Sequence, residues 1–454
     1  MKRKWAIPIV VVVGLLVGSS DLSLAAIQAG ITTRVSVASD GTQGNNTSEM
    51  PSIPADGRFV AFVSYANNLV SGDTNNVTDI FVHDRQTGLT QPVSISSTGA
   101  LGNSYSFHPF ISADGRFVAF QSSATNLVSV DTNGISNVFI HDLQTGQTEL
   151  VSKSIDGAPT DGDSYVPSVS ADGRFVAFES YATNLVSEDT GYWNIFVCDR
   201  QTGQIELISK SSDGAPQNNG SDDPSISADG SFVAFSSGAS NMASGDTNEE
   251  GDIFVYDRQT GEMELVSVAS DGAQGDDWSW KPSISANGRF VAFASHASNL
   301  VSDDTNSVED VFVHDRETGQ TRRVSISSDG MQADNWSESP AISADGRFVA
   351  FMSDADNLVS NDTNMDVDIF VHDLQTGQTE RVSVTSGGAQ GDGNSLDPSI
   401  SAAGQFVAYF SNSTNLVEGD TNGNQDVFVF ENTSDAIYDM KVYLPFGINN
   451  VRRR

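Results

Sequence analysis

The sequence of 454 residues has one cysteine, Cys198, and few basic side chains. A single cysteine forms no internal disulfide, so burial of apolar side chains must stabilise the fold. There are 23 Lys and Arg against 59 Asp and Glu, and the formal net charge is −36. A surface this acidic repels phosphate groups, which argues against nucleic acid and anionic lipids as partners. An acidic surface favours cations, basic proteins or neutral sugars as partners. The alternative is that the negative charge only keeps the protein soluble.

Long apolar runs are missing after the first 25 residues. Residues 1–25 begin with Lys2, Arg3 and Lys4, continue with an apolar stretch over 6–18, and end in small residues. This order predicts a cleaved signal peptide, because the apolar stretch is shorter than the ~20 residues that span a bilayer as a helix. An uncleaved anchor is the alternative. We therefore expect a secreted protein, extracellular or periplasmic, that is monomeric and not inserted in a membrane.

One sequence unit recurs through the rest of the chain. The string ISADGRFVAF at 111–120 appears seven times with small changes, at intervals of 58 residues and once of 57. Each unit contains four strand-like runs, such as PSIS, RFVAF, DIFVHD and RRVSIS, and no helical period. The glycine of its Ala-Asp-Gly turn lies where a hairpin needs a positive φ. These seven glycines are Gly57, Gly115, Gly173, Gly230, Gly288, Gly346 and Gly404.

Four-stranded antiparallel units that repeat around a ring are typical of propeller blades. The seventh unit leaves the pattern at Glu431 without a fourth strand, whereas residues 32–41 at the other end of the chain match that strand. The sequence therefore predicts an all-β fold. We expect a seven-bladed β-propeller over residues 31–431, closed by the N-terminal strand completing the last blade, and a C-terminal tail over 432–454.

The run P-S-I-S-A-D-G-R-F-V-A-F followed by D-I-F-V-H-D resembles the TolB-like (WD40-like) propeller repeat of bacterial exported proteins. The resemblance covers residues 31–431 and implies the propeller fold. TolB itself resembles a six-bladed ring preceded by an α/β domain, and this sequence has neither feature. Its role in envelope translocation is therefore not implied here.

Residues present in every unit are expected to be structural, and residues that break the repeat are candidates for function. Four of the six histidines (His83, His141, His314 and His372) share one strand position that holds Cys198, Tyr256 and Phe430 in other units, which indicates a packing site. The sequence contains neither a G-x-S-x-G elbow nor an H-E-x-x-H motif. No catalytic residue is predicted.

The Asp-x-Asn-x-x-x-Asp loop is a candidate calcium site, since calcium binds several oxygen ligands at alternating positions. The sixth copy matches best, with Asp362, Asn364, Asp366 and Asp368, although Val367 stands where a calcium loop has glycine. The alternative is a structural loop in which these side chains bond the backbone. Ca²⁺ is the only cofactor that the sequence suggests.

Aromatic residues that do not repeat around the ring are the best indication of a binding surface. We place them in the long loops on one face of the propeller, where mixed aromatic and polar side chains are typical of protein or sugar contacts. The alternative is packing onto their own loops. The predicted ligand-binding residues are Trp278, Trp280, Trp336, Tyr105, Phe107, Tyr165 and Trp193.

Two functions are compatible with these observations. The first is a secreted, non-catalytic binding or scaffold propeller that recognises a protein or carbohydrate through its long-loop face. The second is a propeller enzyme, a polysaccharide lyase or glycosidase, acting at the mouth of the central channel. An enzyme should gather several ionisable groups that break the repeat at this mouth, whereas the sequence shows aromatic residues breaking it there.

Overall fold

The computed structural model describes residues 30–130, 132–154, 157–187 and 191–433. The predicted signal peptide over 1–25 lies outside these residues, as does the C-terminal tail after Thr433. The described residues form 28 strands in seven four-stranded antiparallel sheets and contain no helix. Within that part of the chain there is accordingly no helix long and apolar enough to cross a membrane. The predicted all-β propeller of seven blades is confirmed.

Strands are numbered in chain order and grouped here by their place in the blade. The inner strands are β2 (Ser48–Ser52), β6 (Ser106–Ile111), β10 (Ser164–Val169), β14 (Ser221–Ile226), β18 (Ser279–Ile284), β22 (Ser337–Ile342) and β26 (Ser395–Ile400). The second strands are β3 (Phe59–Ser64), β7 (Phe117–Ser122), β11 (Phe175–Ser180), β15 (Phe232–Ser237), β19 (Phe290–Ser295), β23 (Phe348–Ser353) and β27 (Phe406–Ser411). The third strands are β4 (Asp79–Asp84), β8 (Asn137–Asp142), β12 (Asn194–Asp199), β16 (Asp252–Asp257), β20 (Asp310–Asp315), β24 (Asp368–Asp373) and β28 (Asp426–Asn432). The outer strands are β1 (Gly30–Arg34), β5 (Leu89–Pro92), β9 (Gln147–Leu150), β13 (Gln204–Leu207), β17 (Met263–Leu265), β21 (Gln320–Arg323) and β25 (Gln378–Arg381).

The N-terminal strand closes the ring as predicted. Strand β1 pairs antiparallel with β28, so the last sheet has the order β1-β28-β27-β26. The backbone N–H of Val35 extends this pairing by donating to the carbonyl of Val427 at 2.8 Å. The two ends of the described chain are therefore held in one blade.

The core lies between neighbouring blades. The alanine of the FVAF run is fully buried in all seven second strands, from Ala61 to Ala408, which allows adjacent sheets to approach closely. Each second strand also packs an aromatic ring against one on its third strand, as in the pair Phe62–Phe81 with centroids 6.0 Å apart. Burying each such side chain contributes about 1.5–3 kcal/mol. The low apolar content of the chain suffices because every blade covers both of its neighbours.

The inner strands surround a central channel, since each contacts the inner strands of the two adjacent blades. At one end of the channel lie the Ala-Asp-Gly turns, which we call the tight-turn end. Seven backbone hydrogen bonds link these turns from blade to blade in a closed circle, for example from Ala402 N–H to the carbonyl of Ala55 at 3.3 Å. Gly57 there has φ +68°, and an added Cβ would lie 2.1 Å from the ring of Phe406. Glycine is thus required for both conformation and space.

The repeated histidines are structural, as their pattern predicts. Nδ1 of His83 lies 2.9 Å from Oγ1 of Thr90 on the outer strand. His141, His314 and His372 make the same contact, and burial lowers the pKa of each of the four. Cys198 is buried at the equivalent position, and burial raises the pKa of its thiol to about 11.

Candidate binding site at the long-loop mouth of the channel

Two kinds of loop surround the end of the channel that lies opposite the tight turns. One kind leads into each inner strand, and the other joins the second strand of each blade to its third strand. We call this end of the channel the long-loop mouth. Every inner strand has a β-bulge near this end, where its register against the second strand shifts, as between Glu49 and Ser52. Each inner strand therefore begins three residues before the predicted PSIS run. The sequence pattern concealed this part of the strand because the bulge interrupts the alternation.

One residue in each bulge has a positive φ although none is glycine. For residues other than glycine this conformation costs roughly 1–2 kcal/mol. The seven residues are of six different types, whereas the alanine of the FVAF run is the same in every blade. These bulge residues are Met50 (52°), His108 (49°), Val166 (43°), Asp223 (52°), Lys281 (49°), Ser339 (53°) and Asp397 (47°).

Ionisable side chains gather at these bulges. We call this group the mouth cluster; it has six carboxyl groups, one ammonium and one imidazole. All but one of its members stand on inner strands, and Glu179 projects from the second strand β11. The mouth cluster consists of Glu49, His108, Glu179, Asp222, Asp223, Lys281, Glu338 and Asp397. The sequence analysis predicts none of these residues as a site residue, because the residue type at these positions changes between most neighbouring repeats.

Glu179 and Asp223 meet across the third and fourth blades. Oε2 of Glu179 accepts the backbone N–H of Asp223 at 3.2 Å. Burial, reinforced by the charges of Asp223 and Asp222, raises the pKa of Glu179 to about 8. Burial and Asp222 also raise the pKa of Asp223 to about 6, against the opposing effect of Lys281. One blade earlier, Gln121 accepts the N–H of Val166 at the same distance of 3.2 Å.

Lys281 is the one ammonium of the mouth cluster. Its Nζ donates to Oγ of Ser339 at 2.8 Å and lies 3.6 Å from Oε2 of Glu338. Burial raises the pKa of Asp397, Lys281 opposes this rise, and Glu338 adds to it. Burial and the charge of Asp397 raise the pKa of Glu49. The fifth, sixth, seventh and first blades are thereby electrostatically connected through this mouth.

His108 stands apart from the repeated histidines. Its Nδ1 is buried and has no hydrogen-bond partner within the described part of the chain. Burial lowers the pKa of the imidazole, and a hydrogen bond with Gln121 opposes this effect. The side chain is therefore held in its neutral form at neutral pH.

The predicted aromatic residues lie at the same mouth, in three groups. Phe107, Tyr165 and Trp280 are not in loops: each is on an inner strand directly before a bulge residue. Tyr105, Trp278 and Trp336 share the position just before an inner strand; Trp278 is 58% and Tyr105 51% exposed, whereas Trp336 is partly buried. Trp193 precedes β12.

Several of these rings stack in pairs. Tyr105 lies on Phe107 with centroids 6.3 Å apart, and Tyr165 on Trp193 at 5.3 Å. Trp280 contacts the imidazole of His296 at 5.2 Å. The structure thus gathers these aromatics beside the mouth cluster, and their part in ligand binding stays a prediction.

The candidate calcium loop of the sixth blade is bonded internally. The guanidinium of Arg381 lies 3.1 Å from Oδ1 of Asp362 and 3.2 Å from Oδ2 of Asp368. Nε2 of Gln390 donates to the same two oxygens at 2.6 and 3.0 Å. Asn364 accepts the N–H of Asp366 at 3.3 Å. An arginine and an amide thus occupy the place between the carboxyl groups.

Within the described residues, no three or more His, Cys, Asp or Glu side chains come together so that they could hold a metal ion. The bonds in the sixth-blade loop match the structural alternative. Calcium binding by Asp362, Asn364, Asp366 and Asp368 stays a prediction.

Comparison with known proteins yields neighbours by structure alone. No family profile and no curated protein matches the sequence. Acylaminoacyl peptidase from Pyrococcus horikoshii is similar, with 14% identity, a TM-score of 0.50, and coverage of 81% of this chain and 50% of that one. A prolyl endopeptidase structure is similar at 12% identity and a TM-score of 0.50, with coverage of 86% and 50%. TolB from Acinetobacter baumannii has 15% identity, a TM-score of 0.41, and coverage of 84% and 81%.

These likenesses concern the fold. TolB proteins are among the structural neighbours. The seven four-stranded sheets confirm the propeller fold that the repeat predicts. The chain spans about half the length of the peptidases. Their activity is therefore not carried over.

Proposed function

We propose that this protein is a secreted binding or scaffold propeller that recognises a protein or carbohydrate ligand at the long-loop mouth of its channel. One observation carries the proposal: residues that differ between otherwise matching blades concentrate at this mouth. They include three tryptophans, of which Trp278 is largely exposed. Rigid aromatic side chains lose little conformational entropy on binding, so tryptophan is a frequent energetic anchor.

The proposal is tested by finding a ligand through pull-down and glycan-array screening with residues 26–454. Binding is then measured by calorimetry for a variant with Trp278, Trp280 and Trp336 changed to alanine. We expect a loss of affinity of more than about tenfold, as for anchor residues. The control changes Arg58, Arg116 and Arg174, which lie at the tight-turn end and are partly exposed, to alanine. Equal loss in both variants would contradict a site at this mouth.

The mouth cluster also supports the second candidate, a propeller lyase or glycosidase. Glycosidases use two carboxyl groups, of which one has a raised pKa and acts as an acid. Glu179, with a pKa of about 8, fits that description beside Asp223. Glu179→Gln would abolish such activity while preserving the hydrogen bond, since Gln121 makes the same bond one blade earlier. A screen of polysaccharides that releases no product from the unchanged protein would leave the binding function alone.

Lys281 and Ser339 are also placed like a Ser–Lys catalytic pair, with 2.8 Å between Nζ and Oγ. In such pairs an uncharged lysine takes the proton of the serine. Here Glu338 lies 3.6 Å from the same Nζ and is its ion-pair partner. We therefore assign no catalytic role to Lys281 and Ser339.

A further inference from the structure

Three positions of every blade border the long-loop mouth: directly before the inner strand, directly after the second strand and directly before the third strand. Backbone hydrogen bonds show that these positions correspond in all seven blades. The second position donates its N–H to the carbonyl of the first, as from His296 to Trp278 at 2.9 Å. The carbonyl of the third accepts the first N–H of the next inner strand, as Trp193 does from Ser221 at 2.9 Å. The blades can therefore be compared here residue by residue.

The fourth blade has glycine at all three positions, and no other blade has glycine at any of them. We call the gap over Gly220, Gly238 and Gly251 the fourth-blade notch. None of these three glycines has a positive φ, so the backbone conformation does not require them. The neighbouring blades have larger side chains at the same positions, Asp163, Tyr181 and Trp193 in the third blade and Trp278, His296 and Glu309 in the fifth.

A tryptophan stands at each edge of the notch. A Cβ added to Gly220 would lie 3.8 Å from Cβ of Trp193, on the side of the third blade. A Cβ added to Gly251 would lie 3.9 Å from Cδ2 of Trp278, on the side of the fifth blade. The notch is therefore a gap with an aromatic wall on either side.

The wall on the third blade is a row of three rings. Trp193 stacks on Tyr165 with centroids 5.3 Å apart and contacts Tyr181 at 5.7 Å. Tyr181 is 48% exposed. These rings support one another and still present aromatic surface to solvent.

The wall on the fifth blade combines aromatic and polar groups. Trp278 is 58% exposed. Behind it, Trp280 contacts the imidazole of His296 at 5.2 Å, and Nε2 of His296 lies 3.2 Å from Oε1 of Glu309. A flat aromatic face and a carboxylate are thus available on the same side of the notch.

This arrangement suits a neutral sugar chain. The face of an aromatic ring is negative and attracts the weakly positive C–H groups on the face of a sugar. Carboxylates only accept hydrogen bonds, and sugar hydroxyl groups can donate to Asp163, to Glu309 and to Asp222, which is exposed on the inner strand of the fourth blade.

The same residues disfavour other ligands. At the three positions in the third, fourth and fifth blades there is no Lys or Arg to attract an anionic chain. The cores of protein interfaces are depleted in Asp and Glu, whereas carboxylates border this notch. A neutral sugar therefore fits better than an acidic sugar or a protein.

We propose that the fourth-blade notch binds a neutral oligosaccharide chain whose sugar rings pack against Trp193 and Trp278 and whose hydroxyl groups bond the carboxylates beside them. This rests on the proposed function and names the class of its ligand. The chain crosses the rim above Gly238, because glycine leaves the rim lower there than at the blades on either side.

The first experiment titrates the protein with cellohexaose, mannohexaose and chitohexaose by calorimetry, and with hexagalacturonate as the anionic counterpart. We expect at least one neutral hexasaccharide to bind. Hexagalacturonate should bind more than about tenfold more weakly than the best of them, because the carboxylates repel it. Equal binding of hexagalacturonate, or binding of none of the three neutral chains, overturns the proposal.

The second experiment changes the walls. Trp193→Ala and Trp278→Ala should each weaken binding of the same hexasaccharide by more than about tenfold, as for aromatic anchors. Melting curves show whether each variant folds. Trp278→Ala serves if Trp193→Ala melts lower through the loss of its stacking on Tyr165, since Trp278 is largely exposed. Unchanged affinity in a folded tryptophan variant overturns the proposal.

The third experiment fills the notch without adding an aromatic ring or a charge. Gly220→Thr with Gly251→Val introduces Thr47 of the first blade and Val367 of the sixth at the equivalent places. We expect at least about fivefold weaker binding, because the new side chains occupy the space of the sugar. The melting temperature should not fall, since replacing glycine where φ is not positive restricts the unfolded chain.

The matched control is Gly245→Asn, which copies Asn361 of the sixth blade. Gly245 is exposed in the long loop of the same blade, and a Cβ there would lie 4.0 Å from Cδ2 of Leu265 on the outer strand. It should leave sugar binding unchanged. Equal affinity in the filled variant and in this control overturns the proposal.

The two proposals fail in different ways. A protein ligand that depends on Trp278, Trp280 and Trp336, in a chain that binds none of the sugars, overturns the sugar inference and leaves the proposed function standing. A hexasaccharide that binds in the notch and is cleaved there contradicts the non-catalytic function and supports the sugar inference.

Discussion

The two ends of the channel are built from the same seven repeats, yet they differ in kind. At the tight-turn end every blade has the same Ala-Asp-Gly or a near variant, and the turns bond one another directly. Arginine there is neutralised: Arg58 bonds Asp84 through two nitrogens at 3.0 and 2.7 Å and holds the pKa of that carboxyl at about 2. This end has little chemistry left to offer a ligand.

At the long-loop mouth the seven blades place six different residue types at the same strained backbone position. The fold tolerates this because the strain is local and the rest of the blade is fixed by packing. The repeated turns and packing therefore stabilise the fold, and the residues at the long-loop mouth can vary without disrupting it. Function should therefore be sought where the repeats differ.

The largest effect is expected at the seam that holds both ends together. Deleting residues 26–44 removes β1, together with Ser36 and Gln43, which donate to Asp426 at 2.5 and 2.7 Å. The loss leaves β28 as an open edge, so we expect a fall in melting temperature of at least about 10 °C and some self-association. Calorimetry and light scattering measure both. A truncated protein that melts with the full-length one and stays monomeric would contradict the closure.

The next effect separates the contribution of packing from that of backbone conformation, by comparing a glycine of an Ala-Asp-Gly turn with one in the connection from β21 to β22. Gly346 has φ +76°, and a Cβ there would lie 2.1 Å from the ring of Phe290, whereas Gly330 has φ +80° and no atom within 4 Å. Gly346→Ala should cost about 3 kcal/mol or more in the free energy of unfolding, and Gly330→Ala about 1 kcal/mol. Denaturant titration gives both values. Equal costs would mean that the turns are not packed as tightly as the structure shows.

Most of the fold could be predicted from the sequence, because its period, turns and buried runs all agree. The closure followed from one missing strand at Glu431 and one spare strand near Thr32. These are features of regular hydrogen bonding and packing, which sequence patterns report directly.

The mouth cluster could not be predicted in the same way. A bulge residue such as Lys281 or Asp397 takes a positive φ without being glycine, so no turn residue marks it. Trp280 was consequently assigned to a loop, although it belongs to β18. The only signal is the variation itself: the residue directly before the proline of the first strand-like run is of six different types in the seven copies.

An effect of comparable size is expected at the sixth-blade loop. Arg381→Leu copies the fourth blade, which has Leu265 at the equivalent place, and leaves Asp362 and Asp368 without their cation. Removing one partner of a buried ion pair costs about 3–5 kcal/mol. We expect the variant to melt lower with chelator and to recover part of the loss with Ca²⁺, by binding to the folded state. Identical melting curves with calcium and with chelator would leave the structural alternative alone.

The smallest effect concerns the protonation of the mouth. The pKa of Glu179 is raised to about 8, so its protonated form is favoured in the folded state. In the unfolded chain the carboxyl loses its proton near pH 4, and the folded protein therefore loses stability as the pH rises from about 5 to about 8. Asp223, with a pKa of about 6, contributes in the same direction.

Glu179→Gln removes one titrating group and retains the acceptor for the N–H of Asp223, as Gln121 does for Val166. Melting temperatures measured from about pH 5 to about pH 8 should fall less steeply in this variant than in the unchanged protein. The control is Glu262→Gln, in the exposed turn between β16 and β17, which should not change how the melting temperature depends on pH. Parallel pH profiles for Glu179→Gln and the unchanged protein would show that the channel mouth does not hold that proton, and that the division between a fixed end and a chemically active end has to be drawn without it.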